Sequence, residues 1–246
     1  MEGQGERGFF GREHAAAHEK HYARWAPLRT ALHLLIGQVL LELPAEARIL
    51  CVGAGIGPEL IDLAHAFPGW QFTAVEPSAP MLEICRRRAE ESGVASRCTF
   101  HHGYLDTLPA SAPFDAATSI LVSQFILQPE ERRRFFGQIA GRLRAGGYLV
   151  SADLAYGQSG PASDELLQVW LRLQHYTGVP ADQLEKLVAA LETSVAVSAA
   201  DDLERMIEAG GFQSPVRFFQ ALLIHAWFAR RDRRRAPRGR FRHPSA

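Results

Sequence analysis

At 246 residues, with 47% apolar and 22% charged side chains, the chain suits one α/β domain with an accessory cap, since a single core grows to roughly 250 residues before it splits. Its 27 basic and 27 acidic side chains cancel, so bulk charge points to neither a nucleic acid nor a membrane surface. The three cysteines, Cys51, Cys85 and Cys98, are odd in number and form no CxxC pair, which argues against a disulfide framework and a zinc site.

Met1 to Lys20 is charged and Gly-rich without an apolar signal core, and the most apolar stretch, Ala31–Leu43, is shorter than the roughly 20 residues of a membrane span. The expectation is a cytoplasmic protein with reduced thiols. His14–Trp25 and Leu28–Leu43 read as two cap helices separated at Pro27, which removes a helical hydrogen bond. Short β-prone runs follow at Arg48–Val52, Gln71–Val75, Thr99–His101, Ala116–Val122 and Tyr148–Leu154. Helical patterns lie between them at Pro58–Ala66, Ala79–Ser92 and Glu130–Leu143, the last expected to stop at Gly146-Gly147. Such alternation predicts a parallel sheet with crossover helices. After the fifth strand, Ser163–Tyr176 and Ala181–Leu191 read as a two-helix excursion, a candidate lid. Asp201–Ala209 returns as a helix ended by Gly210-Gly211, and Val216–Ala221 and Leu223–Phe228 read as closing strands that pair antiparallel. The division expected is one domain over 1–229, with cap helices at 14–43, a cofactor-binding core at 48–156, the insertion at 163–191 and closing elements at 201–229. The tail 230–246, with eight arginines between Arg230 and Arg242, is expected to be disordered.

In Val52-Gly53-Ala54-Gly55-Ile56-Gly57-Pro58, a buried strand runs into glycines and then into a helix with proline in its first turn. Glycine allows positive φ and a close ligand approach, while the helix N-terminus offers free N–H groups to an anion. The third glycine comes one residue earlier than in the dinucleotide fingerprint GxGxxG. Glu76 ends the second strand about 20 residues on, where a carboxylate accepts hydrogen bonds from both ribose hydroxyls of an adenosine.

The segments ILCVGAGIG, AVEPSAPML, HHGYLDTLP, FDAATSILVSQFI and LRAGGYLVSADL, in this order across Arg48–Leu154, resemble the successive motifs of class I S-adenosylmethionine-dependent methyltransferases. The resemblance implies a Rossmann-like sheet of seven strands, mostly parallel with an antiparallel last strand, and S-adenosyl-L-methionine as cofactor. It places Gly53, Ala54, Gly55 and Gly57 under the methionine part, Glu76 on the ribose, and Pro77, Ser78 and Met81 beside the adenine. Leu121 and Val122 would pass the sulfonium, while Ser123, Gln124 and Phe125 would face the acceptor. Two departures stand out. Gly103 is followed by Tyr104 and Leu105 where the family usually has Asp, so Tyr104 or Asp106 takes over the adenine contact. Cys51 occupies a position that is acidic in many members, which leaves the cofactor's amino group to another acceptor, the Gly53 carbonyl. Outside these motifs the layout is similar to carboxy-S-adenosylmethionine synthase, but the arginine that holds the extra carboxylate there aligns with Met206, one position from Arg205. A plain methyltransferase acting on a small molecule is therefore expected ahead of a synthase.

Methyl transfer from a sulfonium is an in-line displacement that needs a general base only when the acceptor holds its proton. His175, at the end of the first excursion helix, is the first choice for such a base; a solvated helix-end histidine is the alternative. The resemblance offers Tyr22 and Trp25 as aromatics folded over the cofactor, with Trp25 equally a core residue, while Tyr176, beside His175 where a lid would meet the pocket, is a candidate for the acceptor side. His101 and His102 are strand neighbours on opposite faces, so no metal is expected. The arginine tail leaves tRNA open as a partner, and a homodimer stays open as well.

Overall fold

In the computed structural model, residues 24–156 and 161–233 are described. The parallel core consists of β1 (Arg48–Val52), β2 (Gln71–Glu76), β3 (Cys98–His102), β4 (Phe114–Ile120) and β5 (Leu143–Tyr156). Around it lie α1 (Ala26–Val39), α2 (Pro58–Ala66), α3 (Ala79–Glu91) and α4 (Pro129–Arg142). The cap helices α5 (Pro161–Tyr176) and α6 (Ala181–Thr193) follow, then β6 (Ser198–Ala199), α7 (Ala200–Ala209), β7 (Phe212–Ala221) and β8 (Ile224–Arg231). The sheet order is β3-β2-β1-β4-β5-β8-β7, with the two-residue β6 pairing off this path against the end of β5. Only β8 runs against the others along that path, antiparallel to both β5 and β7. The Rossmann-like sheet with a reversed last strand is thus present, with β6 as an addition that no sequence period announces.

Both faces of the central strands are covered, so β1 is an apolar run after Arg48 and the body of β5 is buried without a break. On one face α1, α2 and α3 pack Leu32, Ile36, Leu60, Leu63 and Leu82 against Ile49, Phe72 and Val150. On the other, α4 and α7 bring Phe136, Ile139, Leu203 and Ile207 against Leu50, Leu149 and Trp227. A third cluster joins Trp170 and Leu191 of the cap to Leu154, Leu223 and Ile224. At the tight β7–β8 turn, Leu222 takes φ 55 while Leu223 is fully buried, so packing offsets a left-handed conformation that costs about 1–2 kcal/mol in a non-glycine residue.

Two expectations need correction. Helix α4 ends at Arg142, and Gly146-Gly147 lies inside β5. The pair serves a register shift against β4: Gly146 has φ 74, and a Cβ at Gly147 would meet the Asp115 carbonyl oxygen at 2.9 Å. Helix α1 ends at Val39 and not at Leu43. The helix expected over His14–Trp25 falls, apart from its last two residues, outside the described chain, as do Tyr22 and the tail beyond Arg233. Among the described residues no helix is long and apolar enough to cross a membrane.

Candidate functional site

Strand order reverses between β1 and β4, and in open α/β sheets the crevice at the carboxyl ends of the strands flanking such a point receives the ligand. The glycine loop lies there. Gly53 (φ 68), Gly55 (φ 54) and Gly57 (φ 78) are all left-handed, and each has a different neighbour. A Cβ on Gly53 would sit 2.5 Å from Val122 Cγ2, so this glycine lets the segment after β4 close on the loop. A Cβ on Gly57 would sit 2.4 Å from Cys85 Sγ, so this glycine lets α3 approach. A Cβ on Gly55 would have nothing within 4 Å, so that side of the backbone faces open space. The N–H groups of Gly53 and Ala54 donate to the Val75 carbonyl at 2.8 and 3.1 Å, which ties the loop to β2.

Glu76 ends β2 almost completely buried, accepting from Gly55 N at Oε2 and from Ser78 N at Oε1, both at 2.9 Å. Burial raises its carboxyl above the ordinary range, opposed by those two hydrogen bonds and by His102. Loop and carboxylate border a cavity of about 810 Å³. Gly53, Ala54, Gly55, Glu76, Pro77, Met81, Tyr104, Leu105, Leu121, Val122, Gln124 and Phe125 all line it, within the size range of small-molecule sites. Asp106 joins Tyr104 on the wall, so both residues offered for the departed family aspartate stand at the cavity.

The wall after β4 is held by a buried polar network. Asp153 on β5 accepts from Gln124 N at 2.9 Å and from Ser123 Oγ at 2.8 Å, and pairs with Arg132 of α4 at 3.2 Å. Arg132 also donates to the Ala196 carbonyl at 3.0 Å and to Ser198 Oγ at 3.1 Å, joining this wall to the chain returning from the cap. Leu154 N donates to the side-chain oxygen of Gln124 at 2.9 Å, so Gln124 braces the wall in addition to bordering the cavity. Just before it, Leu121 adopts φ 60, lines the cavity and packs against the cap cluster. A left-handed leucine costs about 1–2 kcal/mol and persists where surrounding contacts over-determine it.

Four residues chosen from sequence are placed elsewhere. Gly57 packs against Cys85 and not on the cavity. Trp25 packs with the cap cluster of Trp170 and Leu191. His175 and Tyr176 point to solvent, Tyr176 being 80% exposed, because α5 turns Leu166, Leu167, Trp170 and Leu171 inward. His175 keeps its ring nitrogen Nδ1 3.2 Å from the Val179 carbonyl oxygen, and no histidine is among the described residues lining the cavity. Met206 packs in the core beside α4, and Arg205 pairs with Asp202 on the surface, so neither reaches the cavity. His101 and His102 bond Thr107 and the Pro77 carbonyl, and no metal-ligating cluster occurs among the described residues. Burial holds the Cys51 thiol well above its usual range and pushes Cys85 up to about 12, which makes both poor nucleophiles.

Sequence reasoning missed Glu59, and Glu131, Arg134, Phe135 and Gln138 of α4, all of which line the cavity. The α4 residues follow a helical i, i+3, i+4, i+7 stripe, but charged residues on a helix ordinarily mark its solvent face. Glu59, two residues past the last glycine, reads as a common first-turn acid of a helix. In the structure it is 6% exposed and accepts from Thr118 Oγ1 on β4.

Residues 49–147 match the family model of a methyltransferase domain. A release factor glutamine methyltransferase of Chlorobaculum tepidum is 36% identical over 102 residues, 37% of this chain and 34% of that protein, so the chain matches about a third of that relative's length. A carboxy-S-adenosyl-L-methionine synthase of Campylobacter jejuni is 22% identical over 205 residues, 80% of this chain and 83% of the synthase. Among solved structures, the S-adenosylmethionine-dependent methyltransferase SibL superposes with a TM-score of 0.58 over 83% of this chain and 57% of that one, at 21% identity, which shows a shared fold.

Proposed function

We propose that the chain, which matches a methyltransferase domain over residues 49–147, transfers the methyl group of S-adenosylmethionine to an O, N or C atom of a small organic acceptor by in-line displacement. The observation that carries this reading is one continuous cavity of about 810 Å³, in which an adenosine-type carboxylate, a glycine loop and an apolar wall meet. Bound there, the cofactor supplies an electrophilic methyl group on a sulfonium. The chain's own residues bind, orient and exclude water. Glu76 accepts from the ribose hydroxyls, the bare backbone of Gly53 to Gly55 underlies the methionine part, and Pro77, Met81, Tyr104, Leu105 and Asp106 border the adenine. Leu121 and Val122 flank the reacting centre, and Gln124 and Phe125 close the acceptor side. Alignment and desolvation are what such a displacement chiefly requires, in keeping with a cavity wall on which no histidine stands among the described residues.

Carboxy-S-adenosylmethionine synthesis is the second reading, favoured by the likeness that spans most of the Campylobacter enzyme. Against it, α7 presents Met206 to the core and Arg205 to the surface, and so brings no cation to the cavity. Mass spectrometry of the ligand released on denaturing the purified protein tests both. The mass of S-adenosylmethionine or its homocysteine product supports methyl transfer, and a cofactor with an added carboxylate supports the synthase. A melting temperature raised by NADH and not by S-adenosylhomocysteine overturns the two together.

A further inference from the structure

The floor of the cavity at the β1 end is apolar, formed by Val52, Ala54, Ile56 and Pro58, except for Glu59. Glu59 enters from the first turn of α2 and lies across β1 and β4, where Cys51 and Thr118 are register partners. Its contacts on those strands are uncharged: Thr118 Oγ1 donates to Oε1, and the Cys51 thiol lies against the carboxyl group. Of the ionisable groups packed nearby, His33 favours its charged form and Asp62 opposes it, and burial outweighs both. His33 of α1 is committed to Asp62 at 2.6 Å, and Cys85 of α3 is a protonated thiol. A carboxylate buried beside neutral partners is unfavourable unless a cation joins it.

We infer that Glu59 receives the amino group of the cofactor's methionine part, taking from α2 the task that the Cys51 position of β1 does not perform. The inference rests on S-adenosylmethionine being the ligand of this cavity. The geometry has two supports: Glu59 is the acid that lines the cavity beside the β1 end of the glycine loop, and its carboxyl group is held against Cys51 itself. Burial raises its carboxyl above the ordinary range, the direction expected of an acid whose charge is completed only by a ligand. The ammonium group then donates to Glu59, and Thr118 fixes the rotamer that receives it. The Gly53 carbonyl is relieved of that role.

The test is a binding cycle, read by calorimetry, between wild type and Glu59→Gln on one side and S-adenosylhomocysteine and its deaminated counterpart on the other. The glutamine keeps the size of the side chain and an acceptor for Thr118. Loss of a charge-assisted hydrogen bond predicts that E59Q weakens S-adenosylhomocysteine about ten- to a hundredfold while the deaminated ligand stays within about twofold. Equal losses for both ligands, or no loss for S-adenosylhomocysteine, overturn the assignment. Should the variant not fold, the wild type alone decides: equal affinity for the two ligands overturns it, because no group would then be reading the amine. Absence of any S-adenosylhomocysteine binding to the wild type would remove the cofactor reading first, and Glu59's role with it.

Discussion

Gly57→Ala separates a packing glycine from a binding one. At φ 78 the new methyl group sits in the left-handed region, which costs about 1–2 kcal/mol. It also lies 2.4 Å from Cys85 Sγ, an overlap between α2 and α3 that neither buried helix can escape cheaply. Overpacking of this kind costs about 1–3 kcal/mol, so urea unfolding should show a loss of about 2–5 kcal/mol in all. Because Gly57 does not line the cavity, the folded protein should retain its affinity for S-adenosylhomocysteine. Cys85→Ala removes the sulfur and leaves Cβ at 3.4 Å, so the double variant should regain the overlap component, a coupling of about 1–3 kcal/mol, but not the backbone component. Additivity within about 0.5 kcal/mol would refute the reasoning, since residues that do not touch add in that way.

Gly55→Val should do the opposite: with nothing within 4 Å of its Cβ, stability should fall only by the left-handed cost of about 1–2 kcal/mol, while calorimetry shows cofactor binding abolished. Glu76→Ala should weaken S-adenosylhomocysteine by about 1–3 kcal/mol, and unchanged affinity would move the ribose elsewhere. Asp153→Asn should cost about 3–5 kcal/mol in urea unfolding, because it leaves Arg132 as a buried charge without its counter-ion. His225 is buried beside Trp227 and Arg217, and burial lowers its pKa to about 4 from 6.5. The unfolded chain therefore binds more protons between those values, so the neutral histidine's contribution is present above pH 6.5 and is lost on acidification toward 4, at up to about 1.4 kcal/mol per pH unit. His225→Gln should flatten that part of the stability profile, and an unchanged slope would assign it to other groups.

The fold was legible where local chemistry and tertiary demand agree. Helix α2 starts at Pro58 and ends at Ala66 as its sequence predicts, because Gly57 can only precede it and Phe67-Pro68 cannot continue it. The glycines after α4 misled, because Gly-Gly stops a helix and also suits a bulge; only the clash with the Asp115 carbonyl, a contact from β4, distinguishes the two. Strand β6 has two residues and no period, and it exists because Arg132 and the end of β5 hold Ala196, Ser198 and Ala199.

The same division explains the site. The cofactor side is built from chain-local devices, a strand end, a glycine turn and an acid at the next strand end, so each residue's type reports its geometry. The cap side depends on how α5 and α6 rotate against β5 and the β7–β8 turn, which periodicity within one helix does not fix. His175 and Tyr176 of α5 face solvent, whereas Trp25, ahead of α1, takes the core place that was its alternative. Glu59 was overlooked for a related reason. At the sequence level an acid in the first helical turn is already explained by the helix dipole, and its second role appears only where β4 supplies Thr118 and β1 withholds an acid at Cys51. A residue whose local explanation is sufficient conceals a tertiary one. Cavity-lining charged residues on α2 and α4 are therefore where the acceptor and cofactor contacts that sequence motifs omit should be sought first.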